Sequence, residues 1–213
     1  MKYDVKEIYE KVEELIGKEV IVDGWVRNHR KQKEFGFIDF NDGTYFKSLQ
    51  LVYDNKLTDF DEITKIHVGS SLEVEGILIK SAGSGQEVEI TVKKIILLGD
   101  CPEDYPIQPK RHTREFLREQ AYLRPRTNLF SAVFRIRSVT AMAIHTYFQD
   151  NNYVYVHTPI ITTTDCEGSD QMFKLTTLDF NHLPMKDGKV DFSRDLFGKK
   201  AFVTGSGQLH GEA

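Results

Sequence analysis

Between Trp25 and Phe37 the chain reads WVRNHRKQKEFGF, which sets three aromatic rings among Arg27, Arg30, Lys31 and Lys33. Rings that stack on bases, beside cations that meet phosphates, are the two components of a single-stranded nucleic-acid site. Trp25, Phe35 and Phe37 all fall on odd positions, so within their segments they share one parity. Arg27 shares the parity of Trp25, whereas Arg30, Lys31 and Lys33 are expected in the turn between two strands. A second reading stays open: Trp25 and one phenylalanine fill a core, and the charges form a solvated turn. Alternation does not say which phenylalanine meets water. The difference matters, because each stacked base contributes about 1–3 kcal/mol.

Other chemistry is thinly represented. Cys101 and Cys166 lie far apart without metal-ligand spacing, and reduced thiols are expected. No Gly-rich phosphate loop and no acid pair suited to Mg2+ is evident, so no catalytic residue and no metal ligand is assigned. Lys and Arg total 28 against 32 Asp and Glu, a net charge of −4, which excludes a protein that is basic in bulk but permits one basic face. The start, MKYDVKEIYEKVEELIG, lacks the apolar run of a signal peptide, and no 18-residue apolar stretch occurs. A cytoplasmic protein without a membrane partner is expected.

The elements that must position these residues follow from periodicity. Asp4 and Glu7 have the spacing of a capping box, and Val5, Ile8, Val12, Leu15 and Ile16 recur at helical intervals until Gly17. From Glu19 the period becomes two. Segments 19–28, 35–41, 47–54, 71–80 and 87–98 are rich in Val, Ile and Phe and are separated by turn signals. Five short strands after a brief helix predict a closed OB-type barrel, since an open five-stranded sheet would leave unpaired edges.

Residues 1–100 are read as that barrel domain and 101–118 as a linker, in which Pro102, Pro106 and Pro109 interrupt regular structure. Residues 119–213 are read as part of a second domain, giving an α+β chain. Asn128 opens a long helical pattern. NNYVYVHTPII predicts a strand over 153–158 closed by Pro159, and KAFVTGSGQLHGEA predicts another. So few strands rarely bury both faces of a sheet. A fragment, or a domain that leans on a partner, is therefore expected.

The blocks VDGWVRNHR, FGFIDFNDGT and SLQLV, followed by the Pro-rich linker and REFLREQAYLRPRTNLFSAVFRIRS, resemble the start of a class II aminoacyl-tRNA synthetase of the aspartate/asparagine/lysine group. The likeness covers essentially the whole chain in the family's order. YLRPRTN, TPIITTTDCEGSDQMF and FVTGSGQLHGE, with the insert LDFNHLPMKDGKVDFSRDLFGK, point within that group to the asparaginyl-tRNA synthetase family of bacterial type.

The resemblance implies a role for each matching residue. Phe37 would stack on the central anticodon base, a uridine, and Gln50 would contact that base's edge. Arg30 would approach the backbone with Arg27 in the same anticodon-binding set, and Glu89 would lie near the wobble base. Pro159 would belong to the motif 1 interface of a homodimer. Glu167 in the closing loop would hold the α-ammonium of asparagine, with Ser206 and Gln208 as further amino-acid contacts. Gly205 stands where the family pattern has Val, and is expected to loosen the strand that carries Ser206 and Gln208. Motifs 2 and 3, which hold ATP, are not found before Ala213. The resemblance thus implies an asparagine–tRNA ligase that uses ATP and Mg2+ and has tRNA(Asn), asparagine and a second subunit as partners. The chain as it stands is expected to be truncated and unable to activate asparagine. The alternatives are a stand-alone tRNA anticodon-binding module and an amidotransferase-like asparagine synthetase. The intact hairpin argues against the second.

Overall fold

Asp4 starts the first helix by the capping box that its spacing with Glu7 predicts. Its carboxylate accepts from the Glu7 amide at 2.8 Å, and the Glu7 carboxylate accepts from the Asp4 amide at 3.2 Å. The helical run divides into α1 (Val5–Glu10) and α2 (Val12–Leu15), broken at Lys11, and Gly17 ends it at φ 79°. Val5, Ile8, Val12 and Leu15 are buried against the barrel that follows. The computed structural model describes residues 1–83, 85–165, 168 and 172–212. It divides into two compact units, Met1–Ala141 and Met142–Ala213.

The first unit is built on β1 (Glu19–Lys31), β2 (Phe35–Asn41), β3 (Leu49–Asp54), β4 (Ser71–Lys80) and β5 (Val88–Gly99), with a short α3 (Phe60–Ile63) before β4. These strands close in the order β1-β2-β3-β5-β4, the OB-fold barrel that the alternation predicts. Closure depends on β1 serving two neighbours: residues 19–25 pair with β4 and residues 25–31 with β2, and Trp25 faces both Ser71 and Asn41. Even-numbered residues of the first half, Val20, Val22 and Val26, point into the core with Ile38, Phe40, Leu51 and Ile90. The structure therefore corrects the alternative reading of Trp25, which lies on the outer face, 38% exposed.

A β-bulge shifts the register between Val26 and Asn28 and reverses parity beyond it. His29 then pairs with core-facing Ile38, and Arg30 with outward-facing Phe37. This corrects a second expectation. Arg30 and Lys31 belong to β1, which runs to Lys31 rather than ending at residue 28, and only residues 32–34 form the turn. β3 begins at Leu49 rather than at residue 47, because the preceding loop caps α1: Asp42 accepts from the Val5 amide at 2.7 Å and the Thr44 hydroxyl from the Lys6 amide at 3.1 Å.

His29 is a polar residue on the core side of β1. Its Nδ1 lies 3.0 Å from the Ile66 carbonyl, which can only accept, so Nδ1 carries the proton. Nε2 then accepts from the Tyr53 hydroxyl at 2.6 Å. Burial, the largest influence, lowers the His29 pKa below the ordinary 6.5, opposed by the Ile66 carbonyl.

The linker does not hang free. Tyr105 and Ile107 are buried with Leu117 of α4 (Arg114–Glu119), in a small cluster that includes Phe116 and Phe130 at its margin. The long helix, α5 (Asn128–Asp150), begins where the sequence predicts and has no fully buried residue.

In the second unit, β6 (Ile161–Thr162), β7 (Lys174–Leu175), β8 (Met185–Lys186), β9 (Lys189–Val190), β10 (Ala201–Val203) and α6 (Gln208–Gly211) are all short. β6, β10 and β7 form a three-stranded sheet, and β8 and β9 a hairpin turned by Asp187 and Gly188 at φ 50° and 72°. The strand expected over 153–158 is not formed. Its residues join no ladder, and Tyr153 and Val154 are 63% and 84% exposed. β-branched and aromatic residues favour extension, but a strand needs a neighbour to take its N–H and C=O groups. Pro159 ends this segment without a backbone N–H to give. The second expected strand stops at Val203, where Thr204 and Ser206 turn the chain through mutual hydrogen bonds of 2.6 and 3.3 Å.

Two measurements test this account. Gly76 sits at the β4 irregularity, and an added Cβ would strike the Thr91 carbonyl and Ile90 Cγ2. Gly76→Ala is expected to lose about 1–3 kcal/mol in urea unfolding; an unchanged midpoint would remove the close approach. A lowered His29 pKa stabilises the fold above pH 6.5, and that contribution is lost as pH falls from 6.5 through the depressed value. The slope of unfolding free energy against pH below 6.5 should be shallower in His29→Gln, and equal slopes would show that His29 titrates normally.

Candidate nucleic-acid interface

The outer face of β1, β2, β3 and β5 carries a row of polar and aromatic groups placed by register. Arg30 pairs with Phe37 and Asp39 with Gln50 in the antiparallel ladders, and Gln50 lies beside Glu89 in the parallel one. Arg30 Nη2 donates to Gln50 Oε1 at 2.9 Å, and Gln50 Nε2 donates to Glu89 Oε2 at 3.0 Å. The Gln50 amide is thereby held in one orientation, at 8% exposure. Glu89 Oε2 also accepts from Ser81 Oγ at 2.8 Å and from Gln86 Nε2 at 3.4 Å. All three bonds converge on one carboxylate oxygen.

Phe37 is half-buried beside this network. The Arg30 guanidinium lies over its ring at 5.1 Å, and Phe35, 37% exposed, meets it edge to face at 5.4 Å. The structure thus brings four of the residues singled out in the sequence, Arg30, Phe37, Gln50 and Glu89, into one array of ring, cation, amide and carboxylate. An array of this kind can stack a base, meet a phosphate and offer both acceptors and donors to base edges. Asp39, Ser81 and Gln86 escape sequence reasoning. Asp39 was legible as the odd-numbered neighbour of Phe37, while Ser81 and Gln86 sit in a loop whose return onto Glu89 no periodicity announces. Burial raises the Asp39 pKa, and the positive charges of Arg27 and Arg30 oppose that rise.

Arg27 does not join the array. The bulge sends its guanidinium to the other end of the face, where Nη2 donates to the Arg126 carbonyl at 3.0 Å and to Asn128 Oδ1 at 2.6 Å, and Nη1 to Ser48 Oγ at 3.3 Å. Trp25 beside it is covered by the Arg126 guanidinium at 4.8 Å. A crevice of about 1520 Å3 opens between this part of the barrel and the linker, with Arg27 and Asp39 on one wall and Lys110 and Arg111 on the other.

The expected amino-acid contacts lie in the second unit and are not brought together in the same way. Glu167 and Cys166 lie outside the described residues. Ser206 Oγ accepts from the Gln208 amide at 3.1 Å at the start of α6, and Gln208 Nε2 donates to Glu212 Oε1 at 2.6 Å. The Gln208 amide therefore engages an acid of its own helix. Gly205 follows the end of β10, and a Cβ there would meet nothing within 4 Å. Gly207 is the crowded glycine, since its Cβ would strike Thr158. Pro159 is exposed. Among the described residues no group of three His, Cys, Asp or Glu side chains could hold a metal ion.

Two family models match the chain. One describes an OB-fold nucleic acid binding domain, over residues 20–98, and the other tRNA synthetases class II (D, K and N), over residues 113–209. The asparagine–tRNA ligase of Acholeplasma laidlawii is 54% identical over 215 residues, covering 100% of this chain and 46% of that protein. The asparagine–tRNA ligase of Clostridium tetani is 50% identical with the same coverage. The crystal structure of asparaginyl-tRNA synthetase from Pyrococcus horikoshii complexed with asparaginyl-adenylate superposes with a TM-score of 0.72 over 92% of this chain and 42% of that one; at 24% identity it supports the fold alone. The chain thus spans about half the length of the curated relatives it matches. On the two family models and these relatives, it belongs to the asparaginyl-tRNA synthetase family of class II synthetases (D, K and N).

Proposed function

We propose that the chain forms the tRNA-reading barrel, and a share of the amino-acid side, of an asparagine–tRNA ligase. Such an enzyme attaches asparagine to tRNA(Asn) through an asparaginyl-adenylate, in the cytoplasm. The observation that carries this reading is the array on the barrel face, where Arg30 both lies over the Phe37 ring and fixes the amide of Gln50. In this reading Phe37 stacks on the central uridine. Gln50 and Glu89 present acceptors and donors to base edges, and Arg30 meets phosphate. The chain's net charge of −4 puts the burden of attraction on this local cation rather than on the whole surface.

ATP and Mg2+ would supply the phosphoryl chemistry that activates asparagine. Among the described residues no group of three His, Cys, Asp or Glu side chains could hold the metal ion. No step through ATP is assigned to this chain's side chains. Gln208 is proposed to turn from Glu212 towards the α-ammonium of asparagine, and Ser206 to hold the turn that carries it. Glu167 is proposed as the anionic partner of that ammonium.

A second copy of the chain is proposed to cover α5 and the segment after it. Ile136, Val139 and Tyr147 are 66%, 70% and 64% exposed on the helix, and residues 154–158, which join no ladder, offer backbone groups for one. No described helix is long and apolar enough to cross a membrane.

Binding of an asparagine tRNA anticodon stem-loop, beside one with its central uridine replaced, tests the first claim. Phe37→Ala should weaken the native loop by the equivalent of about 1–3 kcal/mol and abolish its advantage over the altered loop. Equal, weak binding of both loops by the unmodified chain would overturn the reading. Sedimentation velocity tests the second claim: Val139→Glu should convert a dimer to monomer, and a dimer that survives would place the interface elsewhere.

A further inference from the structure

Sequence parity puts Arg27 on the same face as Trp25, and a cation on that face is naturally read as a phosphate contact. Its surroundings say otherwise. All three of its hydrogen bonds go to protein oxygens, the Arg126 carbonyl, Asn128 Oδ1 and Ser48 Oγ. One of those acceptors belongs to Asn128, the first residue of α5, and another to Arg126, two residues before it. The positive end of a helix repels a cation, so charge attraction does not bring Arg27 there. Directed bonds from a planar guanidinium do.

Other contacts repeat the pattern nearby. Arg126 lies over the Trp25 ring, and Arg135, farther along α5, donates to the Gly43 carbonyl at 2.6 Å and the Thr44 carbonyl at 3.4 Å. The loop that receives Arg135 is the one that caps α1 through Asp42 and Thr44. The beginning of α5 is thus bonded to the barrel at several oxygens, within the first compact unit.

We propose that Arg27 is a positioning residue that latches the first turn of α5 to the barrel. The latch divides the outer face into an open RNA-reading half at Arg30–Phe37–Gln50 and a half occupied by the chain itself. Only its RNA arm rests on the function proposed above. On this view the bulge at residues 26–28 aims two arginines, three positions apart, at different tasks: Arg27 at protein oxygens and Arg30 at the array.

Amide hydrogen exchange on the intact chain reads the latch without RNA. In Arg27→Ala, the amides of Phe130 and Ser131, which bond to Thr127, should exchange about tenfold faster, while those of Val22 and Ile38 stay protected. Asn128→Ala should have a similar effect, and the double variant should add little to either. In parallel, the dependence of anticodon stem-loop affinity on salt counts phosphate contacts. Its slope should be unchanged in Arg27→Ala and shallower by roughly 0.7–0.9 in Arg30→Ala. A slope reduced as much by Arg27→Ala as by Arg30→Ala would overturn the proposal. Unaltered exchange at Phe130 and Ser131, or loss of protection throughout the barrel, would overturn it as well. If the unmodified chain does not bind the stem-loop, the RNA reading fails, and the exchange data still decide the role of Arg27.

Discussion

Everything on the barrel depends on one long strand meeting the backbone demands of two neighbours. β1 hydrogen-bonds to β4 with its first half and to β2 with its second, and the exchange takes place at Trp25. Five strands cannot otherwise satisfy their edge N–H and C=O groups, and an open edge invites pairing with other chains. A straight β1 could not serve both neighbours. The bulge between Val26 and Asn28 turns it, and in doing so resets which side chains face in and which face out. The distribution of arginines on the outer face is thus a by-product of closing the barrel.

That redistribution gives the candidate interface its character. Arg30 reaches Gln50 and lies over Phe37 because parity has been reversed behind it; without the bulge, an even-numbered residue of this strand would point at the core. Gln50 would be a costly residue to bury with its amide unpaired. Its two partners, Arg30 and Glu89, remove that cost and fix which end of the amide accepts. Glu89 is held in turn by Ser81 and Gln86 on the same oxygen. A base-reading surface requires such prior fixing, since a freely rotating amide presents donor and acceptor alike and discriminates poorly.

The second unit shows the reverse situation. Its strands are two or three residues long, the part of α5 that it contains has no buried side chain, and its most strand-like sequence, 153–158, has no ladder. Segments with this composition gain little from extension alone and much from a neighbour that covers their apolar faces and pairs their backbone. The contrast with the barrel, in which twenty hydrophobic residues form one buried cluster, is a contrast in completed hydrogen bonding as much as in burial.

The sequence by itself determined the barrel, the first helical run and the longest helix. Alternation of apolar residues located all five strands, the Asp4–Glu7 spacing identified the first helix, and Asn128 the start of the longest, because these signals are local and of fixed period. The pattern of blocks also carried the family. What the tertiary structure decided was the use of the outer face. Parity assigns a residue to a face, but it cannot say whether another part of the chain folds over it, and so Trp25 and Arg27 are engaged by residues 126–128 while Phe37 remains beside an open array. Nor does alternation reveal a one-residue bulge among polar positions, where no apolar period is present to be broken. The segment at 153–158 makes the same point: propensity prepares a strand, and only a partner in space completes one.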